Sequence, residues 1–183
     1  FDPKKIVLKN STEMFVWLME SSETHEDGSA FAASATEQLA TTTTEIKHMV
    51  IRFDQTVHNL VKTGQEVEAD TILCYIEDQV TSESKLFDER SIDTLRLMSA
   101  QAPRANVKGT IEKIEVFYHG DKEDMSESVE AIASMGDKDR RQRANAVGKD
   151  AFTGRVDGGY RIEGNPLAVD AMSIVIYINR RNI

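Results

Sequence analysis

Two glycine-punctuated apolar stretches constrain what this chain can fold into. The first, Leu60–Asp78, reads L-V-K-T-G-Q-E-V-E-A-D-T-I-L-C-Y-I-E-D. Val61 and Val67 flank Gly64, and Ile72, Leu73, Tyr75 and Ile76 form a second apolar run. Glycine takes φ > 0 without steric cost, so this pattern predicts a tight turn between short strands. The second stretch, Gly109–Asp121, reads G-T-I-E-K-I-E-V-F-Y-H-G-D, with Ile111, Ile114, Val116 and Tyr118 set among Glu and Lys. The two stretches predict facing halves of one β unit of the barrel-sandwich-hybrid type. The fold class expected is α+β, β-rich, with helical insertions.

The rest of the chain divides around that unit. Residues 1–56 read as an N-terminal α/β segment, and 57–183 as a β domain with a helical insertion at about 121–146. Ile6–Leu8 and Met14–Met19 have the look of short strands, with Trp17 as a core anchor. Ala30–Ala40 places Phe31, Ala35 and Leu39 at i, i+4 and i+8, a helical spacing. Thr41–Phe53 is rich in β-branched residues with partial alternation and predicts a strand. Leu86, Ile92, Leu95 and Met98 suggest a broken helix ended by Pro103.

Further on, Asp121 is a candidate cap for a helix running to about Met135, with Met125, Val129 and Ile132 as its apolar stripe and Gly136 as its stop. Asp137–Ala146 predicts a second, exposed helix, and Tyr160–Ile162 a strand. Ala171–Ile178, A-M-S-I-V-I-Y-I, is apolar on both faces and therefore an interior strand.

A formal charge of −9 argues against a protein that clings to nucleic acid over its whole surface. Local clusters at Arg140, Arg141 and Arg143, and at Arg180-Arg181, read either as solvated surface or as phosphate contacts. The single cysteine, Cys74, has no internal partner and reads as a small buried hydrophobe in a reducing compartment. No apolar run approaches the roughly 18 residues of a membrane span. A chain that opens on Phe1 reads as a piece of something larger. His25, His48, His58 and His119 are scattered without metal-ligand spacing, and no P-loop or nucleophile elbow is present.

The paired turns are similar to those of biotinyl and lipoyl carrier domains. Carriers display a modified lysine on a tight hairpin between the halves, whereas here the connection is long (79–108) and Lys85 lies in it between Ser84 and Leu86. The order of segments resembles more extensively the β subunit of multisubunit DNA-directed RNA polymerases, in the flap (wall) region. An acidic pair precedes a helix and a T-T-x-I strand, here Glu26-Asp27, the alanine-rich run and Thr43-Thr44-Glu45-Ile46. The V-x-x-G-x-x-V turn leading to I-L is matched by Val61–Leu73, with Ala69 where glycine is common. Thr94-Leu95-Arg96-Leu97 stands where L-L-R is usual, and Gly109–Phe117 fits G-x-V-x-x-V-x-V-F. Gly164-Asn165-Pro166-Leu167 and Ile174–Ile178 fit the returning turn and strand.

The resemblance implies a flap-type domain of a divergent phage or viral enzyme, in infected cytoplasm or in the virion. Glu26 and Asp27 would lie near the second catalytic Mg, for which hard carboxylate oxygens are suited. Gly28-Ser29 departs from the family after that pair. Met125, Val129 and Ile132 would dock a promoter-specificity or elongation factor through a tip helix. The expected partners are β′-like subunits, that factor, and DNA and RNA in the assembled enzyme, with no membrane. The catalytic carboxylates belong to the other large subunit, so this segment alone should be inactive as a nucleotidyltransferase. A free-standing phage protein that mimics the flap is the further alternative.

Overall fold

Gly64 adopts φ +84°, and Gln65 N–H closes the turn on the Lys62 carbonyl at 3.1 Å. The backbone leaves this turn as strand β3 (Glu66–Val67), which pairs antiparallel with β5 (Gly109–His119), Val67 opposite Gly109. Two further bonds, Gly64 N–H to the Ile111 carbonyl and Ile111 N–H to the Gln65 carbonyl, extend the pairing. The turn of the first stretch thus pairs with the start of the second, whereas the second apolar run of the first stretch, at Tyr75–Glu77, pairs with Thr56–His58 instead. The computed structural model that gives this arrangement describes residues 13–18, 22, 29–78 and 101–182.

The chain comprises a smaller unit, Phe1–Thr43 with Arg181–Ile183, and a larger one, Thr44–Arg180. In the smaller unit the alanine-rich run forms α1 (Ala33–Leu39), and Glu37 pairs with Arg181 at 3.3 Å. The strand expected around Met14–Leu18 does not form, and Trp17 is 82% exposed rather than a core anchor. Aromatic content alone says nothing about whether an opposing surface exists to bury it. Ile6–Leu8, Met19 and the broken helix expected between Leu86 and Met98 lie outside the described residues.

The larger unit is a β-rich α+β fold around a four-stranded sheet curled into a half-barrel. Its order is β1 (Thr41–Arg52), β8 (Ala171–Asn182), β5, β3. Strands β2 (Thr56–His58) and β4 (Tyr75–Glu77) pair antiparallel beside it. A hairpin of β6 (Arg161–Ile162) and β7 (Asn165–Pro166) precedes β8. In β5 the apolar positions fall at 111, 114, 116 and 118, which breaks strict alternation. A register shift between Ile111 and Lys113 absorbs the extra residue and returns all four to one face. That face joins Met49 and Ile51 of β1 and the wholly buried Met172, Ile174, Ile176 and Ile178 of β8 in the core. On the other face of β8, Ser173 and Val175 are also buried, so this strand is interior on both sides.

One helix, α2 (Glu127–Ala146), replaces the two expected between β5 and β8. Ser126, not Asp121, caps it, accepting from Val129 N–H while its own hydroxyl donates to the Gln55 carbonyl at 2.6 Å. Gly136 does not stop the helix. It lies in mid-helix against β5, where a Cβ would come within 2.7 Å of Val116 Cβ. Glycine is there for close approach to the sheet, at a cost of about 1 kcal/mol in helix propensity. The strand expected at Tyr160–Ile162 survives as β6, and Ile162, Leu167 and Ala171 form a satellite cluster under Tyr160 and Val156.

Candidate functional site

The residues singled out in the sequence fare differently. Glu26 and Asp27 lie outside the described residues. The stripe expected to dock a partner is packed into its own domain: Val129 is 0% and Ile132 9% exposed, and Met125 is partly buried against the same core. This corrects the expectation that the stripe is presented outward. Burying Val129 and Ile132 stabilises the fold by roughly 1.5–3 kcal/mol each, which a sheet supplied by the same chain claims before any partner can. Arg141 and Arg143 are exposed, but Arg140 is half-buried and is not part of a uniformly solvated face.

The second half of α2 is where polar chemistry concentrates. Asp137, whose side chain is only 12% exposed, receives three donors. Tyr118 of β5 donates its hydroxyl at 3.0 Å and Lys122 its ammonium at 2.7 Å, both to Oδ2. Gly154 N–H donates to Oδ1 at 2.7 Å. Burial opposes the charge on Asp137, but Lys122, the Gly154 amide and Tyr118 together outweigh it and hold the carboxyl below its ordinary range. Lys122 is raised above its ordinary value, chiefly by its hydrogen bond to Asp137. Burial, and then Asp137, push the Tyr118 phenol up. The carboxylate thus ties together strand, turn, helix and the return segment. That segment adds an edge to β5, with Tyr118 N–H bonded to the Gly154 carbonyl at 2.9 Å and Val156 N–H to the Tyr118 carbonyl at 2.8 Å.

One turn further on, Arg140 donates to the Val116 carbonyl at 3.1 Å and lays its guanidinium 4.6 Å from the centre of the Phe117 ring. Tyr160 stacks on Phe117 with centroids 4.9 Å apart. Phe117 thus joins the helix end to the hairpin segment, and such cation–π and ring contacts contribute on the order of 1 kcal/mol each. Beside it on β5, Glu115 accepts from the Tyr177 hydroxyl at 2.9 Å and from Lys113 at 3.4 Å, and Lys113 lies 4.1 Å from the centre of the Tyr177 ring. Burial again works against the Glu115 charge, and Tyr177, Lys113 and Arg143 overcome it to lower its pKa.

These groups pair with one another, and together they form no nucleophile–base–oxyanion arrangement. Among the described residues no group of three or more His, Cys, Asp and Glu is placed to hold a metal ion. His48 lies in β1, His58 bonds Glu77 at 3.2 Å, and His119 bonds the Leu167 carbonyl at 3.1 Å. Cys74 is fully buried against Met49, and burial pushes its thiol up to about 11, which removes it as a nucleophile near neutrality. No described helix is long and apolar enough to cross a membrane. Sequence reasoning missed the Asp137 hub because its four contributors are separated along the chain. The run D-K-D-R-R-Q-R signalled only charge. No protein-family model matches the chain, and no curated protein is similar to it in sequence.

Proposed function

We propose that this chain is the flap (wall) region of a β-like subunit of a multisubunit DNA-directed RNA polymerase, of the divergent kind encoded by phages and other DNA viruses. The observation that carries the reading is the agreement between segment order and sheet order. The Gly64 turn pairs with the start of β5, a helix is inserted after β5, and the Gly164–Leu167 turn returns the chain along β5 as β8. In this reading the module is architectural. The curled sheet with its barrel-sandwich-hybrid-like pairing is the wall beside the RNA exit path, and chemistry belongs to β′-like partners. Magnesium enters this reading through Glu26 and Asp27, which lie outside the described residues.

Factor docking at the insertion, on this reading, uses the solvent side of α2. Ala131, Ser134, Met135 and Lys138 are exposed there, whereas Val129 and Ile132 are committed to the core. The test is to purify the native polypeptide containing Phe1–Ile183 and identify what accompanies it. Co-purification with a β′-like chain and template-dependent RNA synthesis is the expected result. A polypeptide recovered without polymerase subunits refutes the reading and leaves a free-standing binding protein.

A further inference from the structure

Strand β1 stands at one margin of the four-stranded sheet, hydrogen-bonded within it to β8. Which of its backbone groups face outward follows from its ends. Arg52 turns its N–H to Gln55 Oε1 at 2.8 Å and accepts Gln55 N–H at 3.2 Å, whereas Phe53 donates to the Asp170 carbonyl just before β8. Further up, the Thr44 hydroxyl donates to Asn179 Oδ1 of β8 at 2.7 Å. The separations Thr44 to Phe53 and Asp170 to Asn179 are equal, so the two strands keep one register without a bulge. Alternate residues then face opposite edges, and Thr44, Ile46, His48 and Val50 turn their N–H and C=O groups away from β8, in step with Arg52. All four lie in the larger unit, and among the described residues nothing bonds to their backbone on that edge. Neither proline nor bulge, two usual means of blunting a free edge, interrupts this stretch, and Ile46 is 48% and Val50 54% exposed along it. Glu45 and Lys47 flank Ile46 and are half-buried on the core side. Glu45 Oε1 accepts from Asn106 at 2.8 Å, and Lys47 forms no ion pair among the described residues.

We infer that a second copy of this chain adds to this edge, β1 running antiparallel to β1 of the other copy about a two-fold axis at Ile46. A two-fold contact is self-complementary, so its register is set by the residue that meets its own counterpart. The outward backbone groups fit any centre along the strand, and the side chains decide among them. Centres at Glu45 or Lys47 put like charges directly opposite, which is destabilising. A centre at Thr44 leaves both charges opposite threonines, and one at His48 sets Lys47 against the buried Met49. The centre at Ile46 sets Glu45 of each copy opposite Lys47 of the other, in the non-hydrogen-bonded position where side chains approach most closely. Ile46 then meets Ile46, and Thr44 meets His48 on either side. Each of these three pairs exchanges two backbone bonds, about six in all. A lysine on an edge strand ordinarily repels added strands, but in this register it is matched. Self-association through β1 is independent of the polymerase reading.

Sedimentation velocity of the 183-residue chain between about 2 and about 500 μM tests this, with a mass rising from 20.5 kDa to twice that value as the expected result. Glu45→Lys and Lys47→Glu should each weaken the dimer at least about tenfold, because two attractive cross-strand pairs become repulsive. Mixed in equal amounts, the two variants should associate about as well as the parent, since each presents the charge that the other lacks. Recovery in the mixture also shows that both variants fold. Glu130→Lys, the same change of charge on the exposed side of α2, should dimerise as the parent does. A chain that stays monomeric at about 500 μM overturns the assignment. So do single variants that dimerise like the parent, or a mixture that stays monomeric while both circular dichroism spectra match the parent's. Species growing beyond the dimer would mean a contact that does not close on itself, and overturn the two-fold arrangement.

Discussion

Replacing Asp137 by alanine should loosen the second half of α2 from the sheet. The substitution removes an acceptor for three donors, so the cost follows from where each donor is left. Lys122 is 34% exposed on its side chain and can turn to water, so its ion pair is worth no more than about 1 kcal/mol. Tyr118 and Gly154 are buried residues whose hydroxyl and amide bond a carboxylate, and stranding each costs about 1–1.5 kcal/mol. The sum is about 3 kcal/mol, which for a chain of this size lowers Tm by roughly 6–12 °C. Urea denaturation of parent and variant, followed by helix circular dichroism, measures the loss. Hydrogen exchange should rise first at 137–146 and 153–156, before the centre of β8. Tyr118→Phe in the parent should cost about 1 kcal/mol, and much less once Asp137 is absent, because the two share one bond. A loss below about 0.5 kcal/mol for Asp137→Ala, or additive costs in the double variant, would refute the hub.

The same carboxylate gives a pH dependence of known sign. Its folded pKa is depressed, so its stabilisation is full above the unfolded value near 3.8 and disappears as pH falls through the lower folded value. The urea midpoint of Asp137→Asn should therefore fall less as pH drops below about 4 than that of the parent. Gly136→Ala would gain about 1 kcal/mol of helix propensity on an open surface, but here the new methyl meets Val116 Cβ. Overpacking of about 1–3 kcal/mol wins, so the variant should be less stable by thermal denaturation, with recovery in the Val116→Ala background. Cys74 should resist a thiol reagent at pH 8 in the native protein and react fully in denaturant, because its thiol is buried and titrates at about 11. Rapid native labelling would mean the strand around Leu73 opens far more readily than its packing implies.

Local pattern was enough to set much of the β framework. Gly64 announced its turn because only a residue without Cβ enters φ > 0 freely, and Ala171–Ile178 announced an interior strand because it has no polar face to give to water. The uneven spacing of Ile111, Ile114, Val116 and Tyr118 already contained the register shift. The helical insertion was visible as an apolar stripe with a charged tail, but its meaning was not. A stripe specifies that a face will be buried without specifying against what, and Val129 and Ile132 found the sheet of their own chain. Gly136 carried the signature of a helix stop, yet the approach of Val116 made it a packing contact inside one continuous helix. Trp17 carried the signature of a core and remained exposed. Asp137, Tyr118, Lys122 and Gly154 carried no joint signature, since hydrogen bonds between distant segments have no period in sequence. The sequence by itself determined the turns, the strand faces and the charge imbalance, which depend on neighbours a few residues away. Only the tertiary structure decided which apolar face is spent on the core and which strand edge remains unpaired, because both depend on what the fold brings alongside.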